Sequence, residues 1–477
     1  MDKAVLGVDT STQSCTVVAR RLSDGAVLKV ATSPHSKTLP PVSEQHPNEW
    51  WSAFKSCLAQ LDLENVCGLA VAGQGHGLVA LDDKNAIIKV AKLWNDTTSS
   101  SQSTTIIQDL GSGYWSDKLG TLPLASFTIT KLLWLQENEP ENYQRLKTIL
   151  LPHDYFNFML TGVSSTDRSE ASGTGFFDIR RNVFDKAILR DVGLENVDKF
   201  EFAKVLFADE TAGNVTTTAR KELNFANDLI VGSGANDNPA SALAYGAINS
   251  GDLVISLGTS GTAFAPFETS IHDESGTIYG MAHTVSGYNP LVCTLNSTKV
   301  TDLFAKLLNV SLKELGELAL SGSNRDNRPL LIPWIDGERT PSRPSERATL
   351  HEINNISSRS DIARAAFEGV IFGIVSAVEK FREFHIPIER LIVTGGGSNS
   401  PAYLQFLADA MQMPVHASKV VSAAASGIAI QAAALLKNVP VRDLVSEWAP
   451  KLEIVAKPRT NQNADRVMER FKQLVEL

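Results

Sequence analysis

The sequence predicts an α/β protein built from two related halves with a ligand cleft between them. Three observations carry that expectation. At 477 residues the chain exceeds what one hydrophobic core supports, so two or more domains are expected. Short apolar runs that end in Gly-, Ser- and Thr-rich turns recur alongside segments of helical spacing, the signature of mixed strands and helices. The strand-ending turn DTSTQS at 9–14 is also paralleled by LGTSGT at 257–262.

Taken in order, residues 4–8 read as a buried strand, 14–20 as a second and 26–31 as a third. Asp24-Gly25 makes the turn between the last two, which gives an antiparallel meander. Pro47 suits the first turn of a helix running to about Leu61. Residues 66–72 form a strand ending in Gly73-Gln74-Gly75-His76-Gly77, and 78–81 resume it. Helical spacing dominates from about 128 to 159. In the second half 252–257 is a strand, 258–261 a turn and 262–266 a returning strand. A long amphipathic helix at 361–384 leads to a strand at 391–394 and the run Gly395-Gly396-Gly397. The Ala-rich helix at 423–436 suits close packing against a neighbour. The boundary falls at 245–250, giving domains of 1–245 and 246–477, with ligands expected in the cleft.

Hydrophobic content of 43% and charged content of 20% are ordinary, and the net charge is −9. That balance argues against a nucleic-acid groove or an anionic membrane surface as the main partner. No stretch reaches the ~18 apolar residues of a membrane span, and the run before Asp9 is shorter than a secretory h-region. The four cysteines are scattered, without metal-ligand spacing. They read as core residues in a reducing compartment, so a cytoplasmic protein is expected.

Several nucleotide motifs are absent. No Gly-Lys dipeptide occurs, and residues 73–78 fail G-x-G-x-x-G at Leu78. Three turns remain, at 9–14, 258–261 and 395–399. Turns of this kind aim consecutive N–H groups one way and can wrap phosphate oxygens. Asp9 reads either as a turn carboxylate or as a Mg²⁺-associated acid. Asp237 reads either as an Asx turn capping a helix that starts near Pro239, or as a general base exposed among small residues. His76 and Trp94 read as structural residues, or, with Gln74, Asn95 and Asp96, as a polar and partly aromatic sugar pocket.

In combination these pieces resemble the FGGY carbohydrate kinases, and most closely the xylulokinase branch. SFTITKLLWLQEN at 126–138 is similar to that family's first signature. Residues 348–368 resemble the second, with Glu352 where Gly is usual. His46-Pro47 with Trp50-Trp51, Leu93-Trp94-Asn95-Asp96, the Gly-Glu-Arg-Thr-Pro of 337–341 and Gly395-Gly396-Gly397 extend the likeness over nearly the whole chain. The resemblance implies two actin-like (ribonuclease H-like) domains closing on ATP and a sugar, with a homodimer as the family habit. It places Asp237 at the catalytic aspartate and Asp9 at the acid that holds Mg²⁺ through water. Gln74, Gly75, His76, Trp94, Asn95, Asp96 and Asn238 fall beside the sugar. Thr10, Ser11, Thr12, Gly258, Thr259, Gly395, Gly396, Gly397 and Asn399 fall on the ATP side. The implied reaction is phosphorylation of a ketose, D-xylulose first. Ribulose, a polyol, an aldonate such as gluconate, or an actin-like nucleotide switch stand as alternatives. Four departures concern the sites: Gly75 where Met is common, Ser11 for Gly, Thr16 for a basic residue, and Thr98 where Arg ends Trp-x-Asp-x-Arg.

Overall fold

Residue parity on the opening strand shows how the molecule is layered. The computed structural model describes residues 2–460 and 463–475. In it, Leu6 and Val8 of the strand Ala4–Thr10 join Trp50, Phe54 and Tyr155, whereas Val5 joins Ala70, Ala72 and Ile428. A strand covered on both faces must be apolar at nearly every position, and this run has no polar residue before Asp9.

Ala4–Thr10 pairs antiparallel with Ser14–Arg21, which pairs with Val27–Pro34. On its other side Val66–Gly73 runs parallel, followed by Ile230–Gly232, with Thr211–Asn214 antiparallel at the edge. The second sheet repeats this order. Gly251–Leu257 is antiparallel to Gly261–Phe264 and then Leu291–Thr294. Ile388–Thr394 and Val415–Ala417 follow in parallel, with Glu453–Ala456 antiparallel at the edge. The helix Arg359–Glu383 packs onto Leu253, Ile255 and Leu257, and a Ser358/Asp361 capping box starts it.

Two expectations need correction. The stretch 128–159 is not continuously helical. It divides into Thr128–Asn138, Pro140–Arg145, the strand Thr148–Leu150 and Pro152–Thr161. Pro140 and Pro152 each occupy a first-turn position, where a missing N–H costs little, so each proline starts a new helix. Residues 78–81 do not resume the strand before them either. Val79–Leu81 pairs with Thr148–Leu150 in a separate small sheet, after a sharp turn in which His76 has φ 67°.

The two halves exchange helices. Ala423–Lys437, from the second half, lies on the first sheet, so close that a Cβ at Gly7 would fall 1.8 Å from the Ala425 carbonyl oxygen. Its other side meets Asp237–Tyr245, where a Cβ at Gly427 would fall 1.8 Å from the Ala240 carbonyl oxygen. Ala242 and Tyr245 in turn join Val254, Phe264 and Ile392 of the second sheet. Among the described residues no helix is long and apolar enough to cross a membrane. All four cysteines are free.

Candidate active site

Three strand ends meet at one level. Thr10 lies opposite Gly73 in the parallel pair, and Ala235-Asn236 pairs with Ala72-Gly73. The register therefore gathers 9–12, 74–76 and 236–238 at the carboxyl edge of the first sheet, where α/β sheets bind ligands.

Asp237 is the first residue of its helix. The cap is Asn236, whose side chain accepts from the Asn238 N–H at 3.3 Å. The helix thus starts two residues before the expected Pro239, and Asp237 is free of capping duty. Asn238 Nδ2 donates to Asp237 Oδ1 at 2.8 Å. Burial pushes the Asp237 carboxyl up to about 6. Burial, and then the charge of Asp237, push Asp9 up to about 7. Asp9 Oδ1 is buried without a hydrogen-bond partner. The loop leading to Asp237 is fixed from two sides. Gly234 has φ 85°, and a Cβ there would fall 1.8 Å from His153 Nε2. From the exchanged helix, Gln431 accepts from the Gly234 N–H at 2.8 Å and donates to the Gly234 carbonyl at 3.1 Å.

On the side expected to face the sugar, Thr12 Oγ1 donates to Gln74 Oε1 at 2.8 Å, and Trp94 Nε1 donates to Thr12 Oγ1 at 2.9 Å. Thr12 thus joins the two groups of residues that the sequence reading kept apart. Trp94 is 37% exposed and is no core residue. The His76 ring stacks on Phe127 with centroids 5.2 Å apart, and its edge contact with Tyr279 is at 5.5 Å. Burial, then Lys131 and Arg339, hold His76 down at about 3, so it is neutral at physiological pH. His76 Nδ1 and Asn95 Oδ1 are buried without partners. A Cβ at Gly75 would fall 2.5 Å from Asn236 Nδ2, so this pocket admits no Met there unless Asn236 moves.

Asp96 is turned into the protein, in contrast to its expected place beside the sugar. It is fully buried, and Oδ2 accepts from the Ser43 N–H at 2.8 Å. Its Oδ1 accepts from the Thr98 N–H and hydroxyl, with Lys92 Nζ at 3.5 Å. Lys92 also donates to Thr98 Oγ1 at 2.7 Å, so a lysine stands beside Asp96 where the family carries Arg at 98. The Ser11 N–H closes its turn onto the Ser14 carbonyl at 3.0 Å. Thr10 Oγ1 is buried and unpartnered.

Sequence reasoning missed Glu170, Asn236 and Tyr279. The helix Arg168–Ala171 is capped by Asp167, which accepts from the Ser169 and Glu170 N–H groups at 3.1 and 2.9 Å. Ser169 Oγ accepts from the Asn236 N–H at 3.0 Å, which fixes Glu170 beside the Asp237 segment. A signal was present: the run 165–174 sets acids among Ser, Thr, Ala and Gly, like the stretch around Asp237.

The turns expected to face ATP at 258–261 and 395–399 abut one another. The Gly258 carbonyl accepts from the Thr298 N–H and hydroxyl, both at 2.9 Å, and Thr259 is exposed at the turn tip. Gly395 has φ 80°, and a Cβ there would fall 2.7 Å from the Leu257 carbonyl oxygen. Gly396, Gly397 and Asn399, with Thr298, Phe367 and Tyr403, line a cavity of about 490 Å³. That volume is within the range of small-molecule sites, roughly 300–1,000 Å³.

Comparison with known proteins agrees in both halves. Residues 4–244 match the N-terminal domain, and residues 253–436 the C-terminal domain, of the FGGY family of carbohydrate kinases. A xylulose kinase of Streptomyces rubiginosus is 34% identical over 471 residues, covering 97% of this chain and 95% of that protein. The crystal structure of xylulose kinase from Bifidobacterium adolescentis superposes with a TM-score of 0.87 at 30% identity, covering 98% of this chain and 99% of that one. A gluconate kinase structure from Lactobacillus acidophilus, at TM-score 0.90 and 19% identity over 100% of this chain and 98% of its own, shares the fold. Both sheets, the paired phosphate-side turns and the near-complete matches lead to one assignment: the chain belongs to the FGGY family of carbohydrate kinases.

Proposed function

We propose that this protein transfers the γ-phosphoryl group of ATP to D-xylulose, giving D-xylulose 5-phosphate and ADP. One observation supports the reaction above all. Asp237 stands at a helix start beside a second acid and a set of buried, unpartnered polar groups, with one oxygen held by Asn238. The xylulose kinases among its relatives support the choice of sugar.

Phosphoryl transfer is mostly alignment and charge neutralisation. In this reading Asp237 accepts the proton of the attacking hydroxyl late in the step, and Asn238 fixes which carboxylate oxygen faces it. His76, neutral, and Asn95 hold sugar oxygens. The cavity beside Gly396 and Asn399 takes the nucleoside. The unpartnered oxygen of Asp9 and the crowding of two carboxylates fit a divalent cation, which Asp9 would hold through water. Magnesium, when bound, neutralises phosphate charge and orients the phosphate oxygens. A cytoplasmic setting and a homodimer belong to the same proposal, the latter checked by sedimentation.

A coupled ADP-release assay on xylulose, ribulose, xylitol and gluconate tests the substrate. Asp237→Asn is expected to lose ~10²–10⁴-fold in turnover while ATP binding persists. A folded Asp237→Asn protein with near-normal turnover would remove the base assignment. Equal ATP turnover with and without every sugar would favour the nucleotide switch.

A further inference from the structure

The most unusual group near Asp237 is Glu170. It is fully buried, and neither carboxylate oxygen has a partner in hydrogen-bonding geometry, although the Asn236 amide lies beside it. Buried carboxyls in folded proteins are nearly always satisfied by donors, so an orphan needs an explanation. Its place supplies one. Its Oε2 would lie 3.9 Å from a Cβ at Gly75, and the unpartnered His76 Nδ1 lies against Gly173, three residues along the chain from Glu170. The Tyr279 hydroxyl is buried and unpartnered as well, and Tyr279 feels the charge of Glu170. Asp237 in turn is among the charges acting on Glu170. One imidazole nitrogen and one phenol therefore gather around Glu170, on whose carboxyl the charge of the proposed base also acts.

A purely structural carboxyl has a different appearance in this chain. Asp167, one turn away, accepts two N–H groups and the Ser169 hydroxyl, and Asp96 accepts from Ser43 and Thr98. Glu170 has none of this.

We infer that Glu170 is a specificity-determining residue that hydrogen-bonds a hydroxyl of the acceptor sugar, on the side of the site shared with His76 and Tyr279. This rests on the sugar-kinase reading above. A carboxyl group, ionised or protonated, accepts from a sugar O–H, and the neighbouring Tyr279 hydroxyl completes a polar wall. Rejection of sugars lacking that hydroxyl then follows, because Glu170 would be left buried and unsatisfied.

The test compares wild type with Glu170→Gln and Glu170→Asp on the preferred ketose and on its analogues lacking one hydroxyl each. Wild type is expected to discriminate against one analogue by about 10- to 100-fold in kcat/KM. Glu170→Asp, with a shorter reach, should lose most of that discrimination, chiefly through KM, and Glu170→Gln part of it. A uniform loss across all sugars, or unchanged discrimination in both variants, overturns the inference. Crystals of wild type soaked with the ketose give a reading that needs no variant to fold. A Glu170 oxygen is expected within about 3.2 Å of a sugar oxygen, and contact with protein atoms alone would refute the role. Wild-type turnover in the same assay separates the two claims. A wild type inert toward every sugar defeats the functional proposal, whereas an active one with unaltered selectivity in the variants defeats this inference alone.

Discussion

At the scale of single residues, the carboxylates decide how the site responds to pH. As the proposed base, Asp237 would have to be ionised to accept a proton. Burial raises it from 3.8 to about 6, so its ionised fraction grows as pH rises through that value. With magnesium saturating, kcat/KM for the sugar should climb between about pH 5 and 7 and then level. An unperturbed aspartate would give a flat profile over that range, and the residual activity of Asp237→Asn should be flat as well. A wild-type profile without the limb would show that the proton goes elsewhere. Asp237 stood out in the sequence as a candidate because an acid among Gly, Ala, Asn and Ser has little local purpose. Asp96 was misread because a tetrapeptide does not show which way a carboxylate faces. The Ser43 N–H, far along the chain, together with Thr98 and Lys92 nearby, turns it inward. Glu170 went unnoticed for the opposite reason, since its meaning lies in the partners that it lacks.

At the scale of elements, apolar runs and turn chemistry placed the principal strands closely, because strands covered on both faces leave an unbroken hydrophobic record. Sheet membership was less readable. The run 78–81 is strand-like, yet nothing local shows that it pairs with Thr148–Leu150 and leaves the main sheet. The Ala-rich helix was recognised as suited to close packing, and the structure shows its partners to be backbone on both sides. Gly427→Ala should force Ala423–Lys437 away from Asp237–Tyr245 and destabilise the protein by about 1–3 kcal/mol. The midpoint of chemical denaturation measures this. An unchanged midpoint would mean that the helix pair separates freely. Because Asp237 starts one of these helices and Gln431 of the other pins its loop, turnover should fall with the same substitution.

At the scale of the whole molecule, the internal repeat in the turns at 9–14 and 257–262 corresponds to two sheets of like strand order. That duplication was visible from two short motifs, but the exchange of helices was not, since it depends on contacts between residues nearly 200 positions apart. Water in an open cleft would hydrolyse ATP, so acceptor binding should drive closure. X-ray scattering is expected to show a smaller radius of gyration with sugar and a non-hydrolysable ATP analogue than with neither. Only weak ATPase activity is expected without sugar. An unchanged scattering curve at saturation would rule out closure of this kind.

The crossed helices have one more consequence. A polypeptide severed near Gly246 would yield two pieces, each keeping its own sheet but stripped of the roof that the other supplies. Such fragments should be sticky and poorly folded alone, yet recombine when made together. A gene split at that seam would therefore work only if both pieces were made together, however clean the cut looks in the linear text.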